Sequence, residues 1–184
     1  MELKELIASK EKWTYSDWHL LPPELRCELI NNTIYIPPTP TFHHQDLSSE
    51  LETILKNFVR KNKLGKIIHA PLDVVLSEDI VLQPDVMFIS NEQMAQVKIH
   101  FHGAPALVVE ILSPGTAKYD RTTKKDLYEK FGVQEYWIVD PANKLIEVFE
   151  LVDGNFKLHC AGQLKDIVTS KVLKGFEMVA ESIF

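Results

Sequence analysis

Ala106-Leu107-Val108-Val109-Glu110-Ile111-Leu112 is an apolar run interrupted by a single carboxylate. It is far shorter than the roughly 20 residues that a membrane span takes. Its β-branched content reads as a strand with apolar residues on both faces, the pattern of a central strand. Burying an unpaired carboxylate is so costly that the group must either give up its charge or recruit a cation. Glu110 therefore requires companions from elsewhere in the chain. Asp85, in a second apolar run, and Lys124, on the helix that follows the strand, are the candidates. The trio points to a cation-dependent catalytic site.

The remainder of the chain suits such a site. With 45% hydrophobic and 25% charged residues, the 184 residues suit one globular domain spanning 1–184, with an N-terminal extension to about residue 25. No stretch approaches membrane length, and Met1-Glu2-Leu3-Lys4-Glu5 lacks the basic and then apolar order of a secretory signal, so a cytoplasmic protein without membrane contact is expected. Cys27 and Cys160 fit no metal-ligand spacing and read as free thiols. A net charge of −6 argues against coating nucleic acid by electrostatics alone, but it leaves room for an enzyme whose carboxylates hold a metal. Two basic clusters, Lys56 to Lys66 and Lys118 to Lys125, read equally well as solvated helix faces or as local basic strips.

Periodicity gives the element order. A short helical entry ends at Pro22-Pro23. Cys27 to Ile36 reads as a hairpin around Asn31-Asn32. Pro37, Pro38 and Pro40 force an extended link, and Thr41 precedes a helix whose Leu47, Leu51, Ile54, Leu55, Phe58 and Val59 recur at helical spacing. Lys66 to Leu76 and Ile80 to Ile89 read as two antiparallel strands joined at Ser77-Glu78-Asp79. Residues 90–105 read as a polar loop or short helix. A helix over Thr116 to Phe131, stopped by Gly132, then links the strand 106–112 to a strand Glu135 to Asp140 as a parallel crossover. Further strands follow at Leu145 to Leu151 and Phe156 to His159, before a short tail. The class is α/β, a mixed sheet with helices on its faces.

Pro84 removes a ladder donor beside Asp85, a local irregularity that can aim a carboxylate. If the strands carrying Asp85 and Glu110 are neighbours, the two carboxylates converge, and such a pair suits Mg²⁺, which keeps waters and substrate phosphate oxygens as its other ligands. Lys124 shares a helical stripe with Asp120 and Tyr128, and spacing leaves open a surface pair with Asp120 or an ammonium reaching the carboxylates. Lys125 is its rival on the adjacent face. Glu28 in the hairpin and His44 at the start of the long helix are further candidates, His44 inward-facing beside Leu47 and Leu51. His43, His44, His100 and His102 match no zinc spacing, and no nucleophile elbow or phosphate-binding glycine loop is present.

The order Cys27-Glu28-Leu29-Ile30, His44, Gln83-Pro84-Asp85-Val86, Val109-Glu110-Ile111-Leu112-Ser113-Pro114, Asp120, Lys124, Tyr128 and Gly132 to Pro141 resembles the Uma family of endonucleases, a branch of the PD-(D/E)XK restriction-endonuclease-like superfamily. The resemblance runs from about residue 14 to the C-terminus. It implies a restriction-endonuclease-like mixed sheet with an additional N-terminal hairpin and C-terminal strands. The implied activity is hydrolysis of DNA, with a homodimer as the form that cuts both strands. Mg²⁺, with Mn²⁺ as a substitute, would be held by Asp85, Glu110 and the backbone carbonyl of Ile111. Lys124 would assist water activation or stabilise the transition state, and Glu28 and His44 would line the same cleft. One position departs from the superfamily pattern: Leu112 stands where a lysine is expected, two residues after the glutamate. The alternative is a nuclease-derived module that binds nucleic acid or protein without cutting, for which Lys124 should lie beyond about 6 Å from the carboxylates.

Overall fold

A computed structural model describes residues 3–8, 10–22 and 24–184; expectations that rest on Met1, Glu2 and Pro23 lie outside the described residues. Two short helices, α1 (Leu3–Ala8) and α2 (Tyr15–Trp18), precede a hairpin of β1 (Glu28–Ile30) and β2 (Thr33–Tyr35). Its turn residues Asn31 and Asn32 have φ of 49° and 64°. That is the left-handed conformation a two-residue hairpin turn demands and asparagine tolerates.

The long helix α3 (Phe42–Asn62) begins where Thr41 accepts a hydrogen bond from the His44 N–H at 3.2 Å, satisfying one of the orphan donors of its first turn. Its stripe of Leu47, Leu51, Leu55 and Val59 is buried against Ile67, Val86, Leu107 and Val109, with Ile54 and Phe58 at its border.

The two strands expected between residues 66 and 89 are four: β3 (Gly65–His69), β4 (Val74–Ser77), β5 (Ile80–Leu82) and β6 (Val86–Ser90). The antiparallel pairing is as expected, but both arms break at a proline, Pro71 and Pro84, neither of which can donate to a ladder. The Ala70 N–H donates to the Asp85 carbonyl at 2.9 Å as the last rung before the break. Beyond it the arms pass together into another sheet, where Val74 faces Leu82. Residues 91–96 form a 3₁₀ turn before β7 (Phe101–His102), which pairs parallel with β4.

The strand carrying Glu110, β8 (Leu107–Ile111), is buried along its whole length. It runs antiparallel to β6 and parallel to β9 (Glu135–Asp140). The β8-to-β9 crossover is not one regular helix. It comprises α4 (Ala117–Tyr119), a π-helical turn over Asp120–Lys124, and α5 (Lys125–Phe131). At the turn the Tyr136 hydroxyl donates to the Asp120 carbonyl at 2.9 Å, and a side chain inserted into the ladder in this way is a recognised cause of helix irregularity. Gly132, with φ of 85°, closes α5 as expected. The strands β10 (Leu145–Val152) and β11 (Asn155–Gln163) extend the sheet, and the tail folds as β12 (Ile167–Thr169) with β13 (Glu177–Val179).

The main sheets therefore have the orders β11-β10-β9-β8-β6-β3 and β2-β1-β5-β4-β7. The N-terminal hairpin is the edge of the second sheet, which brings Glu28 toward the first. Because the α3 stripe fills one face of the six-stranded sheet, Leu51→Ala should lower unfolding free energy by about 2–5 kcal/mol, measured by chemical denaturation; a loss under about 1 kcal/mol would mean that this face can collapse around the deletion.

Candidate active site

The break at Pro84 has a direct consequence for β8. Val86 faces Val109, so the register continued back past the start of β6 would set Pro84 opposite Ile111. Proline offers no N–H to the Ile111 carbonyl. The Asp85 carboxylate takes up the other half of the missing rung, its Oδ2 accepting the Ile111 N–H at 2.8 Å. The same oxygen lies 3.2 Å from His44 Nε2. Burial disfavours a charged His44 imidazole, but Asp85 and the Ile111 carbonyl outweigh it and raise its pKa.

Glu110 lies two residues along from Val108 and so on the same face of β8, the face that looks away from α3. The Lys124 ammonium is 3.1 Å from Glu110 Oε1, 2.9 Å from Glu28 Oε1 and 3.7 Å from Asp120 Oδ1. The Tyr128 hydroxyl donates to Glu110 Oε1 at 2.9 Å. The same Glu28 Oε1 also accepts the Gln83 N–H at 2.8 Å. The pair of Asp120 and Lys124 is thus a buried contact inside the site and no surface bridge. Lys125 is not a rival, because its ammonium sits over the Phe149 ring at 3.6 Å.

Negative charge is in surplus here. Glu28, Asp85, Glu110 and Asp120 share the fully committed Lys124 and the His44 imidazole. Burial, together with Asp120, Asp85 and Glu28, raises the pKa of Glu110 against the opposing pull of Lys124. Lys124 is held charged: desolvation works against it, and the surrounding carboxylates overcome that and raise its pKa. Asp120 is pushed up to about 6, first by burial, with Lys124 and Thr116 pulling it back.

The six residues expected at the site, Glu28, His44, Asp85, Glu110, Ile111 and Lys124, all line one cleft of about 190 Å³. Among the described residues, no group of three or more His, Cys, Asp or Glu is arranged to hold a metal by side chains alone. Two carboxylates with a carbonyl form the smaller set that Mg²⁺ uses when water and phosphate complete its shell. The residues fit that ion. Asp85 and Glu110 each commit one oxygen to protein donors and, among the described residues, accept no hydrogen bond at the other. Glu28 Oε2 and His44 Nδ1 are buried there without partners among the described residues.

Sequence reasoning placed Tyr128 on the Lys124 stripe without giving it a role, and it did not identify Gln83 or Arg26. The four-residue phase from Lys124 was the available signal for Tyr128. Of the second basic cluster, Lys124 is buried and Arg121 is paired with Asp140 and Glu147. Both cysteines are free thiols, and burial pushes Cys27 up to about 11. No helix among the described residues is long and apolar enough to cross a membrane.

Two outcomes follow for stability. Asp120 is protonated in folded and unfolded chains below pH 3.8 and ionised in both above about 6, so the stability it contributes in its neutral form is lost as pH rises between those values. Asp120→Asn does not titrate; its melting temperature should match wild type near pH 4 and exceed it at pH 7–8, by at most about 3 kcal/mol in unfolding free energy. Equal melting at both pH values would refute the raised pKa. Leu112 packs in the core with Tyr128, Tyr136 and Ile138. Leu112→Lys should therefore destabilise the fold by about 3 kcal/mol or more without restoring a useful ammonium, as denaturation curves would reveal.

Comparison with known proteins places the family and the fold. The family model of Uma2, described as "Putative restriction endonuclease", matches residues 14–181. The crystal structure of a protein from Anabaena variabilis ATCC 29413, titled a putative nuclease belonging to DUF820, is 20% identical. It shares the fold with a TM-score of 0.80 over 93% of this chain and 97% of that one. No curated protein matches.

Proposed function

Because this chain belongs to the Uma2 family, whose model is described as "Putative restriction endonuclease", we propose that it hydrolyses phosphodiester bonds in DNA, with Asp85, Glu110 and the Ile111 carbonyl holding Mg²⁺ or Mn²⁺. The observation that carries the reading is the pair of carboxylates beside the Pro84 break, each with one oxygen held by protein donors and both lining the cleft. A divalent cation there would polarise the phosphodiester, lower the pKa of the attacking water and offset the surplus of negative charge.

The chain's own groups divide the remaining work. Tyr128 and Lys124 fix the orientation of Glu110 by sharing its Oε1. Lys124 has three protons and three carboxylate neighbours, of which Asp120 at 3.7 Å is the most distant. Exchanging that contact for a phosphate oxygen would bring the ammonium onto the charge that develops in the transition state. His44 is poised beside Asp85 to donate or accept a proton at Nδ1, which has no partner among the described residues. Against a module that binds without cutting, which calls for a Lys124 remote from both carboxylates, stands its distance of 3.1 Å from Glu110; among the described residues it forms no ion pair with Asp85.

The proposal extends to one catalytic domain acting in the cytoplasm as a homodimer, since cutting both strands of a duplex takes two sites. Purified protein should nick supercoiled plasmid with Mg²⁺ or Mn²⁺. Asp85→Ala and Glu110→Ala should fall to the metal-free background. Tyr128→Phe, which only loosens Glu110, should lose about tenfold in activity and need more metal for half-saturation. A wild type inert with both metals, and indistinguishable from Glu110→Ala, would sink the reading.

A further inference from the structure

A second cavity of about 580 Å³ lies behind the catalytic cleft, and Arg26 and Gln83 form part of the wall of both. Arg26 Nε donates to Gln83 Oε1 at 2.7 Å. The Gln83 amide donates to Asp73 Oδ1 at 3.0 Å, and Asp73 Oδ2 lies 3.2 Å from His100 Nδ1. Arg26 is thus held by a neutral side chain, and among the described residues no carboxylate lies within ion-pair distance of it. Its terminal nitrogens form no ion pair among the described residues, at a position that lines both cavities. A planar guanidinium held in this way is suited to a phosphate.

The second cavity has walls of another kind. Trp18, Leu21, Pro22 and Pro71 supply apolar surface. His100 stands edge-on to the Trp18 ring at 5.5 Å between centroids. With His100 Nδ1 turned to Asp73, Nε2 is buried with no hydrogen-bond partner among the described residues, a polar atom waiting for a ligand group. Ile99, which lines the cavity, is 79% exposed. A pocket that sets aromatic and apolar walls beside the polar groups of Asp73, Gln83, Glu24 and His100, next to an arginine without an ion pair at a phosphodiester cleft, has the chemistry that stacks and hydrogen-bonds a base turned out of its stack. A base still paired inside a duplex would not reach it.

We propose that this cavity receives an unpaired nucleobase next to the cleaved phosphate, with Arg26 on the phosphodiester between the two sites. The proposal rests on the nuclease reading above and narrows its substrate to DNA with an unpaired nucleotide, at a bulge, a flap or a single-stranded segment.

The test uses fluorescence anisotropy with the full chain in Ca²⁺, on a 20-base-pair duplex and on the same duplex carrying one central unpaired base. Wild type should bind the bulged duplex about tenfold more tightly, the scale of one base stacked in an aromatic pocket. His100→Ala should lose that preference while leaving affinity for the paired duplex unchanged. Arg26→Gln should weaken both and reduce the salt dependence by about one counterion. Ile99→Ala, at an exposed position where folding is not at stake, should reduce the preference about twofold to threefold. Equal binding of the two duplexes by wild type, or an undiminished preference in both His100→Ala and Ile99→Ala, overturns the base site and leaves the nuclease reading standing. A wild type that neither binds nor cuts any of these DNAs overturns both.

Discussion

The contact on which the rest of this structure depends is the buried ammonium of Lys124 among Glu28, Glu110 and Asp120. The three carboxylates come from three parts of the fold: the hairpin strand of the five-stranded sheet, the central strand of the six-stranded sheet, and the π turn of the crossover. One cation therefore ties both sheets to the element between them. Buried ion clusters are seldom favourable overall, because desolvation of each charge costs several kcal/mol. Removing the ammonium would be worse, leaving three carboxylates in a low dielectric with no counter-charge. The site thus carries an energetic cost that an apolar core would avoid, and the fold tolerates it through extensive burial on both faces of β8.

The geometry around that cation originates in two prolines. Pro71 and Pro84 interrupt the two arms of one long hairpin at nearly facing points, and the hairpin folds from one sheet into the other. Without the break, residue 84 would donate to the Ile111 carbonyl, Asp85 would be an ordinary strand residue, and no cleft would open at the end of β6. The break also positions Gln83, whose backbone holds Glu28 and whose side chain holds Arg26. A few residues of irregular backbone thus set the Asp85 carboxylate, the carboxylate partner of the lysine and the arginine of the cleft wall.

Much of this was legible in the sequence because the signals were local. Asn31-Asn32 specified its hairpin turn, the α3 stripe its buried face, and Gly132 the end of α5. Glu110 in an apolar run announced a partner and made Lys124 a candidate, though spacing alone left open a surface pair with Asp120 and Lys125 as a rival. The division of residues 66–89 between two sheets was not legible, because a strand that changes sheets keeps the same apolar alternation on either side of the break. The prolines marked irregularity without indicating direction. The π turn was hidden for a related reason: its cause, the Tyr136 hydroxyl, is supplied by another strand. The roles of Gln83 and Arg26 depend on contacts across the sheet junction, which no spacing rule reaches.

Charge makes the final connection between site and substrate. A chain of net charge −6 with four carboxylates in one cleft should repel a phosphodiester, and the positive groups nearby are largely spent: Lys124 on three carboxylates, Arg121 on Asp140 and Glu147. On the proposed function, DNA can enter such a cleft only if something offsets the surplus at the moment of binding. A divalent cation at Asp85 and Glu110 would do so, and Arg26, held by an amide in place of a carboxylate, would do so at the cleft wall. The neutral partner of Arg26 is therefore as consequential as the arginine. A carboxylate at Gln83 would anchor the guanidinium equally well and cancel the charge for which it is placed there.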